Sequence, residues 1–88
     1  MQRKTALVTG GSAGIGKETV KALVTQGYEV LIAARDARKG LALVAQLRRD
    51  TPGAQVDFIA CDLSEFGQVV ALAQAVQARW TQLDALVL

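Results

Sequence analysis

Eight consecutive residues, Thr9-Gly10-Gly11-Ser12-Ala13-Gly14-Ile15-Gly16, set four glycines directly behind a short apolar run. Glycine is needed wherever backbone must come close to a bulky anion, because a side chain would hold the anion away. A helix that opens from such a loop aims its unpaired N–H groups and the positive end of its dipole at that anion. Pyrophosphate suits this arrangement, and the whole stretch from Thr9 to Gly16 forms the candidate cradle. Gly10 permits the turn, Gly14 the close approach and Gly16 the packing of helix on strand, while Ser12 can donate its hydroxyl to a phosphate or ribose oxygen. A tight connector without a ligand would use glycine in the same way. The position between a strand and a helix favours the phosphate loop.

Two further places complete the chemistry. A dinucleotide site meets the adenosine ribose at the tip of its second strand, about 20 residues past the glycine loop. An acid there accepts from the 2′-hydroxyl of NAD, whereas an arginine pairs with the 2′-phosphate of NADP. Arg35 lies nineteen residues beyond Gly16, with Ala34 where the acid would stand. NADP is therefore expected over NAD, against the simpler reading of Arg35 as a solvated strand end. Asp36 comes one residue late for the ribose and serves better as a helix N-cap. Arg38 and Lys39 add positive charge nearby or are merely exposed. After the third strand, Cys61-Asp62-Leu63 offers a carboxylate that can accept from the exocyclic amine of adenine, with Leu63 beside the base. As a cap or turn residue, Asp62 would be just as well explained.

The elements that must position these residues alternate strand and helix. Lys4 to Thr9 is the first strand, and Gly14 to Gln26 is a helix with Gly16, Val20, Leu23 and Val24 on one face and Gly27 as its stop. Glu29 to Ala34 is a near-continuous apolar strand, as expected of one covered on both faces. Asp36 caps the second helix, which buries Gly40, Leu43, Val44 and Leu47, places Arg48 and Arg49 at its negative end, and stops at Thr51-Pro52-Gly53. Gln55 to Ala60 is the third strand. Ser64 caps a third helix with Phe66, Val69, Val70, Ala73, Val76 and Trp80 on one side, Phe66 and Trp80 acting as core anchors. Ala85 to Leu88 begins a fourth strand. Strands joined through helices of this length run parallel. A chain ending inside an apolar strand reads as one Rossmann-type unit, residues 1–88, truncated at its C-terminal end; the alternative is a short homologue whose partner chain covers that edge.

Composition narrows the function. The 88 residues are 51% hydrophobic and 20% charged, too apolar for a disordered tail. No apolar run approaches the ~20 residues of a membrane span, and none suits a signal peptide, so a cytoplasmic protein without membrane contact is expected. The net charge is +2, but the ten basic residues are dispersed, which argues against nucleic acid. With one cysteine and no histidine, neither a disulfide framework nor a Cys/His zinc site is available; Cys61 reads as a small apolar core residue.

Thr9, Gly10, Gly14 and Gly16 in a T-G-x-x-x-G-x-G loop, the Asp62-Leu63 pair, and Leu83-Asp84-Ala85-Leu86-Val87-Leu88 together resemble the short-chain dehydrogenases/reductases. The A-A-R-D and D-L-S-E-F segments look most like members related to retinol dehydrogenases and protochlorophyllide reductases. The resemblance covers essentially the whole chain but only about the first third of a typical member. It implies a doubly wound α/β sheet with strand order 3-2-1-4. It also implies NADP(H) as cofactor, a small carbonyl or alcohol substrate, and frequent homo-oligomers of the intact protein. The family's chemistry rests on a Y-x-x-x-K pair with a serine and an asparagine. Tyr28, the sole tyrosine, is followed four residues on by Ile32, so no catalytic residue and no metal ligand is assigned here. A non-catalytic NADP-binding module is the alternative from another class. An S-adenosylmethionine-dependent transferase would want an acid where Ala34 and Arg35 stand.

Overall fold

A computed structural model describes residues 3–10 and 14–88. Its elements are β1 (Thr5–Thr9), α1 (Gly14–Thr25), β2 (Glu29–Ala34), α2 (Ala37–Asp50), β3 (Val56–Ala60), α3 (Phe66–Arg79) and β4 (Ala85–Val87). The four strands form one sheet in the order β3-β2-β1-β4, with every neighbouring pair parallel. This is the expected doubly wound arrangement with strand order 3-2-1-4.

The period of two explains why the inner strands are apolar throughout. Ala6 and Val8 of β1 and Val30 and Ile32 of β2 point to one face, where they join Val20 and Val24 of α1 and Leu43, Val44 and Leu47 of α2. Leu7, Leu31 and Ala33 point to the other, where Leu72 of α3 and Cys61 meet them. Each fully buried aliphatic side chain contributes about 1.5–3 kcal/mol, and Val8, Val20, Val30 and Ile32 are the largest of these.

The first two helices end as their residues predict. Gly27 takes φ +88°, and the Gly27 and Tyr28 amides donate back to the Val24 and Leu23 carbonyls at 3.0 Å, which closes α1 in a Schellman motif. Asp36 caps α2 by accepting from the Lys39 amide at 3.1 Å. Arg48 at the end of α2 reaches the Val56 carbonyl and Asp57, both at 2.8 Å. Arg79 of α3 bonds the other Asp57 oxygen from the opposite face and lies 3.7 Å from Glu29, which also accepts from Trp80 Nε1 at 2.8 Å. These groups are half exposed, so the pairs contribute at most about 1 kcal/mol each, but they fix both helix ends to β2 and β3.

The third helix departs from expectation in two respects. Its N-cap is Glu65, without a side-chain cap bond, and not Ser64. The Ser64 hydroxyl is turned back to Asp62 Oδ1 at 2.7 Å and is therefore unavailable for capping. Phe66 is not a core anchor either, being 83% exposed, whereas Leu72 is only 6% exposed. At about 100° per residue the two point roughly 120° apart, so seating Leu72 on Leu7 and Leu31 turns Phe66 outward. Trp80 keeps its expected packing role against this cluster. β4 is likewise shorter and less buried than expected: Leu88 falls outside it and Leu86 is 54% exposed.

Asp84 pins the entry to β4 against the start of β1. Its Oδ2 accepts from the Thr5 amide at 2.8 Å, its Oδ1 from Gln82 Nε2 at 2.7 Å, and the Thr5 hydroxyl donates to the Gln82 carbonyl at 2.6 Å. The Thr5 amide, more than the other contacts, holds the Asp84 carboxyl below its ordinary value of 3.8, with desolvation opposing. A carboxyl depressed in the folded state stabilises fully above its unfolded value and ceases to do so as pH falls through the folded one. Asp84→Ala should lower the urea midpoint at neutral pH, and its stability should fall less steeply than the wild type's below pH 3.8. Parallel pH profiles would show that the carboxylate does not hold β4.

Gly40 is required by space and not by backbone angle. A Cβ there would lie 2.1 Å, 2.2 Å and 2.7 Å from three atoms of the Phe58 ring. Overpacking costs about 1–3 kcal/mol, and alanine recovers about 1 kcal/mol of helix propensity. Gly40→Ala should therefore destabilise the chain by about 1–2 kcal/mol in chemical denaturation. Adding Phe58→Ala should cancel that increment, and additive losses would refute the contact.

Candidate functional site

Parallel pairing carries the tips of β1, β2 and β3 to the same edge of the sheet, and backbone bonds continue past the strands. The Gly10 amide donates to the Ala33 carbonyl at 2.8 Å and the Cys61 amide to the Ala34 carbonyl at 2.9 Å. A cavity of about 300 Å³ opens there, and Gly10, Arg35, Asp62 and Leu63 all lie on its wall. These four residues, drawn from three separate segments, were singled out in the sequence. Ala33, Ala34, Cys61 and Ser64 complete the lining. Cys61 is 3% exposed and packs in the core as expected, but also borders the cavity.

Of the described residues of the glycine motif, Gly10 lines the cavity. Gly10 has φ +67° and Gly14, at the head of α1, φ +62°. Both lie in the left-handed region, open to glycine at no steric cost and poorly tolerated by branched side chains. Gly11, Ser12 and Ala13 lie outside the described residues. Ile15 is 87% exposed in the first turn of α1, and Gly16 is half-buried behind it. Neither Thr9, Gly14, Ile15 nor Gly16 reaches the cavity wall. Thr9 instead donates its hydroxyl to the Val87 carbonyl at 3.3 Å, tying β1 to β4.

Charge at the second strand tip is settled by one committed and one exposed residue. Asp36 spends its carboxylate on the Lys39 amide. Arg35 is exposed at the cavity and makes no ion pair among the described residues, and Ala34 beside it presents no acceptor side chain. Arg38 and Lys39 are exposed in the first turn of α2.

Asp62 is both a turn residue and part of the wall. Its Oδ1 accepts from the Ser64 amide at 3.0 Å and the Ser64 hydroxyl at 2.7 Å, which makes an Asx turn. The Ser64 hydroxyl, then the Ser64 amide, hold the carboxyl below 3.8 against some desolvation, with Arg35 adding a smaller effect of the same sign. Asp62 is therefore ionised at neutral pH, and Oδ2 has no hydrogen-bond partner among the described residues. The D-x-S spacing was a legible sign of this turn. Gln68, whose side chain accepts from the Asp62 amide at 2.7 Å, was not foreseen.

Two other concavities have different chemistry. One of about 590 Å³ lies at the opposite edge of the sheet, where Glu29, Arg79 and Asp84 are already paired. An apolar groove of about 480 Å³ runs between α3 and β4, past Leu72, Val76 and Leu86. Among the described residues no three His, Cys, Asp or Glu side chains come together, and no helix is long and apolar enough to cross a membrane.

The family model described as short chain dehydrogenase matches residues 4–88. Human retinol dehydrogenase 12 is 38% identical over 84 residues, covering 96% of this chain and 27% of its own length. Two solved structures superpose closely. YwfH, an NADPH dependent reductase involved in bacilysin biosynthesis, is 27% identical with a TM-score of 0.91, covering 97% of this chain and 36% of that one. A metagenomic short-chain oxidoreductase in complex with NADP is 34% identical with a TM-score of 0.87, covering 94% and 37%. The chain thus spans about a quarter of the length of the curated relatives it matches.

Proposed function

The chain belongs to the short chain dehydrogenase family, and on that premise we propose that it supplies the cofactor-binding half of an NADP-dependent oxidoreductase. The observation that carries this reading is the cavity at the strand tips, with Arg35 on its wall and Ala34 where an NAD site would place an acid. The NADP complex of one structural relative and the NADPH dependence of another support the choice of cofactor.

When bound, the nicotinamide would exchange a hydride with the carbon of a small carbonyl or alcohol. The residues here hold and orient the other end of the molecule. The backbone at Gly10 and Gly14 and the N-terminus of α1 receive the pyrophosphate, where free N–H groups and the helix dipole lower the cost of its charge. In the sequence the motif runs from Thr9 at the end of β1 through Gly11, Ser12 and Ala13 to Ile15 and Gly16 in the first turn of α1. Arg35 pairs with the 2′-phosphate through parallel N–H bonds that a neutral side chain cannot replace. Asp62 accepts from the adenine amine, and Leu63 covers one side of the base. Tyr28 packs against the core and has no lysine four residues on, so no proton-transfer role falls to it.

Replacing Arg35 by Ala should weaken NADP about 10–100-fold, the cost of a charge-assisted pair, and change NAD less than about twofold. Titration of the intact protein with each cofactor measures this, and equal losses would remove Arg35 from the 2′-phosphate. Gly14→Val should abolish binding of both, since a β-branched residue at φ +62° forces the loop to rearrange. Unchanged affinity in a folded variant would refute the loop assignment.

A further inference from the structure

We infer that Gln68 is a positioning residue for the adenine end of the cavity, holding the Asp62 carboxylate in place through the backbone of Asp62; the inference rests on reading that cavity as the adenosine pocket. Gln68 stands three residues after the N-cap of α3. At that position a glutamine ordinarily reaches back to the N-cap amide and closes a capping box. Here the cap amide is already used, because Glu65 N–H donates to the Asp62 carbonyl at 3.0 Å. The Gln68 side chain instead reaches past the cap, and its Oε1 accepts from the Asp62 amide at 2.7 Å. A weaker contact joins the same two segments, as Cys61 Sγ lies 3.7 Å from the Gln68 carbonyl it faces.

These bonds divide the labour around Asp62. Ser64 holds one carboxylate oxygen from the turn side, and Gln68 holds the amide from the helix side. The side chain is therefore fixed at both ends of its residue, with Oδ2 left to accept from a ligand. Leu63 lies between these anchors, so the apolar wall of the cavity is set by the same latch. Without the Gln68 acceptor the segment 62–64 keeps its Asx turn and the Glu65 bond to the Asp62 carbonyl, but the Asp62 amide loses its side-chain tie to α3. The carboxylate should then sample several positions, and an ordered acceptor for the adenine amine becomes a diffuse one.

The test uses probes that need only the adenosine half of the site. Adenosine 2′,5′-bisphosphate carries the exocyclic amine, and inosine 2′,5′-bisphosphate replaces it with a carbonyl. Titrated into this chain and followed by NMR, the wild type should prefer the adenosine probe. Gln68→Leu, of similar size but without an acceptor, should reduce that preference about threefold to tenfold, the range of one lost hydrogen bond. Affinity for the inosine probe and the thermal midpoint should be nearly unchanged. Gln68→Glu, which retains the acceptor, should restore the preference. Undiminished preference in Gln68→Leu, or equal weakening of both probes, would overturn the positioning role. Failure of the wild type to bind either probe would instead refute the adenosine pocket. Equal wild-type binding of both would refute the assignment of Asp62 to the amine, and the latch with it.

Discussion

Parallel pairing is the constraint on which the rest of this molecule depends. Because β1, β2, β3 and β4 all run the same way, each connection must recross the sheet, and a helix is the compact means of doing so. The same directionality delivers the ends of β1, β2 and β3 to one edge, where residues distant in sequence become neighbours. Gly10, Arg35 and Asp62 meet at one cavity for this reason and no other. The ladder does not stop at the last residue of each strand; the Gly10 and Cys61 amides extend it into the loops. The loops therefore leave the sheet from fixed points, which set the walls of the cavity.

The two faces of the sheet are finished to different degrees. On one, α1 and α2 pack so closely that Gly40 lies against the Phe58 ring with no room for a methyl group. On the other, α3 contributes a single buried residue, Leu72, and leaves Phe66, Val69 and Val70 exposed. Asp57 compensates in part, since its two oxygens bind Arg48 of α2 and Arg79 of α3 from opposite sides. The N-terminal edge of β4 is secured by Asp84 and Thr5, while the strand itself remains half open. Burial is thus deepest along β1 and β2, which lead into Gly10 and Arg35.

What the sequence made legible follows from how local each cause is. The order of elements, the stripe of Gly40, Leu43, Val44 and Leu47, the Asp36 cap and the Gly27 stop depend on periodicity or on contacts within a few residues, and all are found as expected. That Arg35 and the Asp62-Leu63 pair would share one sheet edge was legible from their places just past β2 and β3, once the strands were known to be parallel; a role for Asp62 beyond the turn came only with the family resemblance. The rotation of α3 was not legible. Its apolar residues spread over more than half the helix circumference, so periodicity alone could not decide between Phe66 and Leu72. Ser64 shows the other limit: a serine before a helix suggests a cap, but an aspartate two residues earlier offered its hydroxyl a nearer acceptor.

That competition between cap and turn bears on how the site works. A conventional N-cap would have tied Ser64 to the amides of α3 and left Asp62 to its own rotamers. With the hydroxyl directed to Asp62 Oδ1 and the Gln68 amide oxygen directed to the Asp62 N–H, the helix gives up local capping and the cavity gains a fixed anion. Arg35 faces the same space with opposite charge. The pocket is therefore polarised, and under the proposed function the Arg35 wall would take a phosphate and the Asp62 wall an amine, with Leu63 an apolar part of the same lining. A 2′-phosphorylated adenosine presents those groups, its phosphate on the ribose and its amine at the far edge of a flat apolar ring. On this reading selectivity comes from the separation of the two charges across the strand tips, and that separation is set by the spacing of parallel strands.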